Sequence, residues 1–158
     1  MAIIPFTYGK YPLGHGEGGG VGNAFQTVMA RVDYRDVAAA ATYNLIALPA
    51  GAFVTACYFV IETAWTGSSM TMQIEESGGS ATYITSSIGA QGDMTEGSVI
   101  KGHTYPTGGS GVSSLSTTLG DNDEFNTSSR TIDFVSGGGT AWTAGVGTLV
   151  VEYVIIPQ

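Results

Sequence analysis

The sequence predicts an all-β fold: an antiparallel two-sheet β-sandwich or jelly roll preceded by an extended, glycine-rich N-terminal arm. Three observations predict it. Apolar and polar residues alternate with period two in several short stretches. Glycine supplies 24 of 158 residues, while charged residues make up only 11%, less than half the usual ~25%. A helical pattern is confined to Asp36–Thr42, whose four consecutive alanines span one or two turns at most.

Residues 1–27 differ in composition from everything after them. Gly9, Gly14, Gly16, Gly18, Gly19, Gly20 and Gly22 crowd together with Pro5 and Pro12. Such a stretch has high chain entropy and little to bury. Phe6, Tyr8, Tyr11, Leu13 and Phe25 are nevertheless spread through it, and a solvated tail has little use for so many apolar groups. The arm either wraps back on its own domain or docks on a partner and orders there.

The remaining residues, 28–158, read as one sandwich domain. Val28, Ala30, Val32 and Tyr34 alternate with Met29, Arg31, Asp33 and Arg35. Met70, Met72 and Ile74 alternate with Thr71, Gln73 and Glu75, and Ile132 and Phe134 with Thr131 and Asp133. Tyr43–Leu48 is a further strand closed by the turn signal Pro49-Ala50-Gly51, and Tyr83–Ile88 a weaker one.

Two runs are apolar on both flanks. In Ala52–Ile61 strict alternation puts Phe53, Thr55, Cys57, Phe59 and Ile61 on one side and Ala52, Val54, Ala56, Tyr58 and Val60 on the other. In Gly147–Ile156, Leu149, Val151, Tyr153 and Ile155 oppose Val150, Val154 and Ile156, with Glu152 among the latter. A sandwich strand has one inner and one outer face, so an apolar outer face calls for a cover: the arm or another subunit. A closed barrel or a locally covered sheet is the other solution. The candidate interface residues are therefore Phe6, Tyr8, Tyr11, Leu13 and Phe25 of the arm with Val54, Tyr58 and Val60 of the strand.

Residues 89–129 form a Gly/Ser/Thr-rich insertion, with a short strand expected near Ser98–Tyr105. A structureless loop of that length is unusual in a compact domain. Thr63-Ala64-Trp65-Thr66 recurs as Thr140-Ala141-Trp142-Thr143, holding the two tryptophans of the chain. No regular period accompanies the echo, so a repeat architecture is not indicated; chance or a shared strand-end packing role explains it.

Charge and cysteine usage narrow the function classes. Five Lys and Arg against thirteen Asp and Glu give a formal charge of −8, which does not supply the basic surface that phosphate neutralisation requires. No nucleic-acid partner is expected. A single cysteine, Cys57, excludes a disulfide scaffold, and its apolar neighbours make it a buried, inert thiol. The first residues lack a basic segment followed by an apolar run, and no 18 consecutive apolar residues occur. The expectation is a chain made in a cytosol, with no membrane partner.

No catalytic constellation stands out, and no enzyme is expected. His15 and His103 are isolated, and neither HExxH nor CxxC is present to suggest zinc. Asp121-Asn122-Asp123-Glu124 gathers oxygen ligands without the spacing of a calcium loop, and reads as a solvated acidic turn. Glu75 and Glu76, adjacent on a strand, point to opposite faces and do not make a carboxylate pair. Gly16–Gly22 lacks the Lys-Ser/Thr and the preceding strand of a phosphate loop. No metal or cofactor is expected.

The segment Ala41–Val54 followed by Val60–Gly67, and the ending in which Gly137-Gly138-Gly139, Thr143-Ala144-Gly145 and Val150–Tyr153 lead into Pro157, resemble structural proteins of tailed-phage heads. The resemblance covers about half the chain and describes strands and turns. It implies a capsid decoration, or cement, protein or a minor head protein: a small β-sandwich or jelly-roll module on the outer capsid surface of a virion. Such a module would bind the major capsid protein and clamp neighbouring subunits, as a homo-oligomer, a trimer. The family brings no catalytic residues with it. The alternative function is a carbohydrate- or receptor-binding module of a virion fibre or spike, with Trp65, Trp142 or Tyr105 stacking on sugars. Solvent-facing rings would favour that alternative, and buried rings would favour assembly.

Overall fold

The computed structural model describes residues 6–7, 25–77, 82–86, 89, 91–102 and 128–155, with residues 6, 7 and 91 described through their backbone alone. They form β1 (Phe6–Thr7), β2 (Gln26–Asp33), β3 (Ala41–Leu48), β4 (Ala52–Thr66), β5 (Met70–Glu76), β6 (Thr82–Ile84), β7 (Val99–Lys101), β8 (Arg130–Gly138) and β9 (Ala144–Ile155), with 3₁₀ turns at Tyr34–Asp36 and Gln91–Asp93. One sheet has the order β1-β2-β9-β4-β7 and the other β3-β8-β5-β6. All pairings are antiparallel.

Of the two all-β forms open from the sequence, this topology is the jelly roll. Counting from β2, the first, eighth, third and sixth strands make one sheet, and the second, seventh, fourth and fifth make the other. Consecutive strands therefore mostly alternate between sheets, as in the double Greek key of that architecture. The arm contributes β1, which lies along the outer edge of β2 with Phe6 opposite Met29 and Thr7 opposite Val28.

The alternations read from the sequence place the core. Ala30 and Val32 of β2, Leu149 and Val151 of β9, and Cys57, Phe59 and Ile61 of β4 face Met70, Met72 and Ile74 of β5 and Ile132 and Phe134 of β8. Burying each large apolar side chain contributes about 1.5–3 kcal/mol, and this double layer of apolar side chains drives the two sheets together. Burial pushes the Cys57 thiol up to about 12, so the thiolate is not formed at neutral pH.

At one end of the sandwich the two copies of Thr-Ala-Trp-Thr meet. Thr143 N–H donates to Thr66 O at 2.8 Å, and the two threonine hydroxyls lie 2.9 Å apart. Trp65 and Trp142 pack edge to face with ring centroids 5.1 Å apart and planes at 83°. Trp65 also contacts Phe59 and Phe134. The echo is thus a strand-end clasp between β4 and β9. Gly145 permits it: its φ of +141° is strained for any other residue, and a Cβ there would fall 2.3 Å from the Trp65 ring.

At the other end the core closes on a buried polar network. Arg130 Nε donates to Glu76 Oε1 at 2.6 Å, and Tyr83 OH donates to the same oxygen at 2.6 Å. Arg130 Nη2 donates to Ala52 O at 3.0 Å. The side chains of Arg130 and Glu76 are 4% and 2% exposed. Burial, together with the carboxylate beside it, raises the Tyr83 hydroxyl far above its ordinary value. The turn Pro49–Gly51 lies at this end, with Gly51 at φ +75° and Ala52 N–H donating to Pro49 O. So do Phe25, Ser77, Ser128 and Ile155.

Several expectations are corrected. The alanine run is not helical: Asp33 accepts from the backbone N–H of Arg35 and holds a single 3₁₀ turn. Ala40 then adopts φ +51°, and the chain enters β3 at Ala41. Seven residues make too few hydrogen bonds to repay helix nucleation, whereas β3 gains a ladder with β8 along its length, interrupted once between Asn44 and Ile46. The strand expected over 83–88 is limited to Thr82–Ile84. The short strand expected near 98–105 is present at Val99–Lys101, and Gly102 N–H carries its hydrogen bonding one step further, to Cys57 O at 2.8 Å; residues 103–105 lie outside the described residues.

Candidate interaction surface

The two outer faces of the jelly roll differ in chemistry. On the four-stranded sheet the outward rows are mostly polar, with Val135 between Thr42 and Gln73 as an apolar exception and Asp133 4% exposed among its neighbours. Asn44 lies opposite Asp133, and Asp133 opposite Glu75. Thr131 Oγ1 donates to Asp133 Oδ1 at 2.7 Å, and Gln73 Nε2 donates to Glu75. Among the described residues this face carries carboxylates and no cation.

The outer face of the five-stranded sheet is built differently. Met29 lies opposite Val150, Val150 opposite Tyr58, and Tyr58 opposite Lys101, in one row across β2, β9, β4 and β7. The neighbouring row runs Arg31, Thr148, Val60, Val99. Phe53 and Val154 pair further along, next to Phe25. Met29, Phe53, Tyr58, Val60, Val150 and Val154 are half-buried in the single chain. Val99 and Phe25 are 49% and 68% exposed. Rows of apolar side chains of this extent on one outer face make it the candidate interaction surface of the described residues.

The charges on this face compensate one another. Arg31 Nε donates to Glu62 Oε2 at 3.2 Å, and Thr148 Oγ1 donates to the other Glu62 oxygen. Those bonds, the Thr148 one first, hold the pKa of Glu62 below its ordinary value, against the opposing effect of its partial burial. At the end of β2, Arg35 grips Asp33 through Nε at 2.9 Å and Nη2 at 2.6 Å. Arg35 holds the Asp33 carboxyl at about 2, below its ordinary 3.8.

The candidate interface residues fall into three groups. Tyr58 and Val60 are on the outer face, and Phe25 is exposed at its rim. Phe6 is placed by its backbone opposite Met29, while Tyr8, Tyr11 and Leu13 lie outside the described residues. Val54 is corrected: it is 4% exposed and belongs to the core. The cause is a β-bulge between Val54 and Ala56 in the register with β9. One extra residue shifts the phase of the strand, so Val54 shares the inner side with Cys57 and Phe59. Phe53, read as facing with those two, joins Tyr58 and Val60 outside. The alternation in β9 has no such interruption, and its two sides are as read.

The sequence also left unmarked the buried Glu76–Arg130 pair. A signal existed: each continues the inward period of its strand, Met70-Met72-Ile74-Glu76 and Arg130-Ile132-Phe134. Trp65 and Trp142, the proposed sugar platform, are 1% and 4% exposed and pack on each other, so they offer no ring face to a ligand. Tyr105, His15, His103, Asp121, Asp123 and Glu124 lie outside the described residues. Among the described residues no three His, Cys, Asp or Glu side chains come together as a metal site would require.

No family model matches the chain, and no curated protein matches it. Solved structures do. A chain of the cyanophage Pam1 capsid asymmetric unit is similar in fold at TM-score 0.56 and 17% identity, over 90% of this chain and 92% of that one. A chain of the acid-stable capsid of Helicobacter pylori bacteriophage KHP30 aligns at TM-score 0.46 and 14% identity, over 85% and 89%. A chain of the Ralstonia phage GP4 capsid aligns at 0.44 and 15%, over 84% and 86%.

Proposed function

We propose that this chain is a virion structural protein: a non-catalytic decoration module that binds the outside of a phage capsid as a homotrimer and stabilises contacts between major capsid subunits. The observation that carries the reading is the end-to-end likeness to a chain of the cyanophage capsid asymmetric unit. The likeness covers 90% of this chain and 92% of that one, so it spans nearly the whole of both. A jelly roll by itself hosts many functions, and the chemistry of the surface adds to the argument. An apolar, charge-compensated sheet face suits protein–protein packing. A net charge of −8 suits an outward position, away from packaged nucleic acid.

The test is made on the virus that encodes the chain. Mass spectrometry of purified particles, followed by a cryo-EM map of the head, should find the protein as density outside the shell at junctions between major subunits. Its absence from particles, or its presence only in the tail or in the interior, overturns the proposal. Recombinant protein with residues 1–24 deleted keeps all of β2 and should remain folded while failing to load onto heads that lack it. Full loading of the truncated form removes the arm from the mechanism.

A further inference from the structure

We propose that copies of this chain bind one another through the outer face of the five-stranded sheet, with the four-stranded sheet turned to solvent. The inference deepens the oligomeric part of the reading above and rests on it; it does not depend on what else the oligomer binds.

The argument begins with electrostatics. Identical copies of a chain carrying −8 repel unless they meet where charge is locally balanced. The four-stranded sheet cannot provide that place, because its outward row carries Asp133 and Glu75 side by side and no described cation offsets them. On the five-stranded sheet Arg31 and Lys101 stand against Glu62 and Glu152, so the face brings no net charge to a second copy. It also brings its own complement: the cations and carboxylates of one copy can meet those of the next around an apolar centre of Met29, Val150 and Tyr58. Like-charge cost falls away on this face, and apolar burial remains.

The dimensions are sufficient. The outward residues of β4 run from Phe53 to Glu62, about 30 Å at the usual rise. Three long strands and the short β7 give a width of about 15–19 Å. The face therefore offers about 500 Å² per copy, or about 1,000 Å² in a pair, at the lower bound for a specific interface. An association of moderate strength, visible at micromolar to sub-millimolar concentrations, follows. Buried charge repulsion would have made even that unattainable through the opposite sheet.

The purified full chain tests this by analytical ultracentrifugation over a concentration series. Wild type should sediment as an oligomer of the 16.2 kDa monomer. Val150→Lys or Val60→Lys should weaken association at least about tenfold in dissociation constant, whereas Gln73→Lys on the opposite face should leave it intact. A second measurement does not depend on those lysine variants folding. Cys57 is 1% exposed, so in the native protein a maleimide reads only an introduced thiol. Val150→Cys should be labelled rapidly when dilute and slowly when concentrated, and Thr71→Cys at one rate throughout. A wild type that stays monomeric overturns the inference. So does Val150→Cys labelling that is slow even at the lowest concentration, which would mean a cover within one copy, or protection seen only on capsids, which would mean a shell protein. An oligomer that forms through this face but is missing from viral particles keeps the inference and removes the capsid reading.

Discussion

Removing Arg130 from its pocket isolates one energetic effect. The guanidinium is the partner of a carboxylate that is itself 2% exposed. In Arg130→Met the aliphatic stem is replaced in kind, but Glu76 is left with Tyr83 OH as its remaining charge-stabilising partner among the described groups, and Ala52 O loses its donor. Breaking a buried pair from one side costs about 3–5 kcal/mol. In a chain of this length each kcal/mol shifts the melting temperature by about 2–4 °C, so the variant should melt about 6–20 °C lower. The complementary variant removes the whole network: Arg130→Met, Glu76→Leu and Tyr83→Phe together. Arg130 Nη1 has no hydrogen-bond partner among the described residues, so the described network is incompletely satisfied, and its replacement by apolar groups should recover most of the loss. Urea unfolding of dilute protein, followed by tryptophan fluorescence, measures both. A loss below about 1 kcal/mol for Arg130→Met, the value of an exposed pair, would refute the premise that this cluster is sealed from water.

Other consequences are as direct. Gly145→Ala should destabilise by about 1–3 kcal/mol through overpacking against Trp65, while Gly92→Ala, which meets nothing within 4 Å, should be nearly neutral; thermal melts of the two compare them. Asp33, held at about 2 from 3.8 by Arg35, contributes stability that is complete above about pH 4 and is lost as pH falls toward 2. In Asp33→Asn that segment of the acid-denaturation curve should flatten, as melts between pH 2 and 5 would show. Cys57 should resist thiol reagents in the native protein and react in urea, because burial holds its thiol at about 12; native reactivity would mean that β4 opens locally.

Much of the fold was legible because period-two patterning reports a sheet with one face inside. β5 and β9 bury every second residue as read up to Tyr153, and the β2–β9 and β5–β8 ladders run without a register shift. The alternation read through Tyr34 and Arg35, however, ends at Asp33 in a 3₁₀ turn. Pro49-Ala50-Gly51 makes the turn its residues demand. The candidate interaction surface was harder to read for one reason. In Ala52–Ile61 both flanks are apolar, so no polar residue fixes the phase, and a bulge at Thr55 passes unseen. That is why Val54 and Phe53 exchanged places while Tyr58 and Val60 did not. The Glu76–Arg130 pair was overlooked for the opposite reason: charge suggests surface, although the parity of each strand pointed inward. The short strands β6 and β7 gave little pattern to read, since three residues hardly show a period.

Phe25, Ser77, Ser128 and Ile155 lie at one pole of the sandwich, while the tryptophan clasp occupies the opposite pole. A peptide spliced next to Ser128 and a tag fused after 155 are therefore rooted at the same end. For anyone wishing to mount antigens or enzymes on this scaffold, the two graft points address the same side. The clasped pole offers no comparable opening, because the indoles there are already committed to each other.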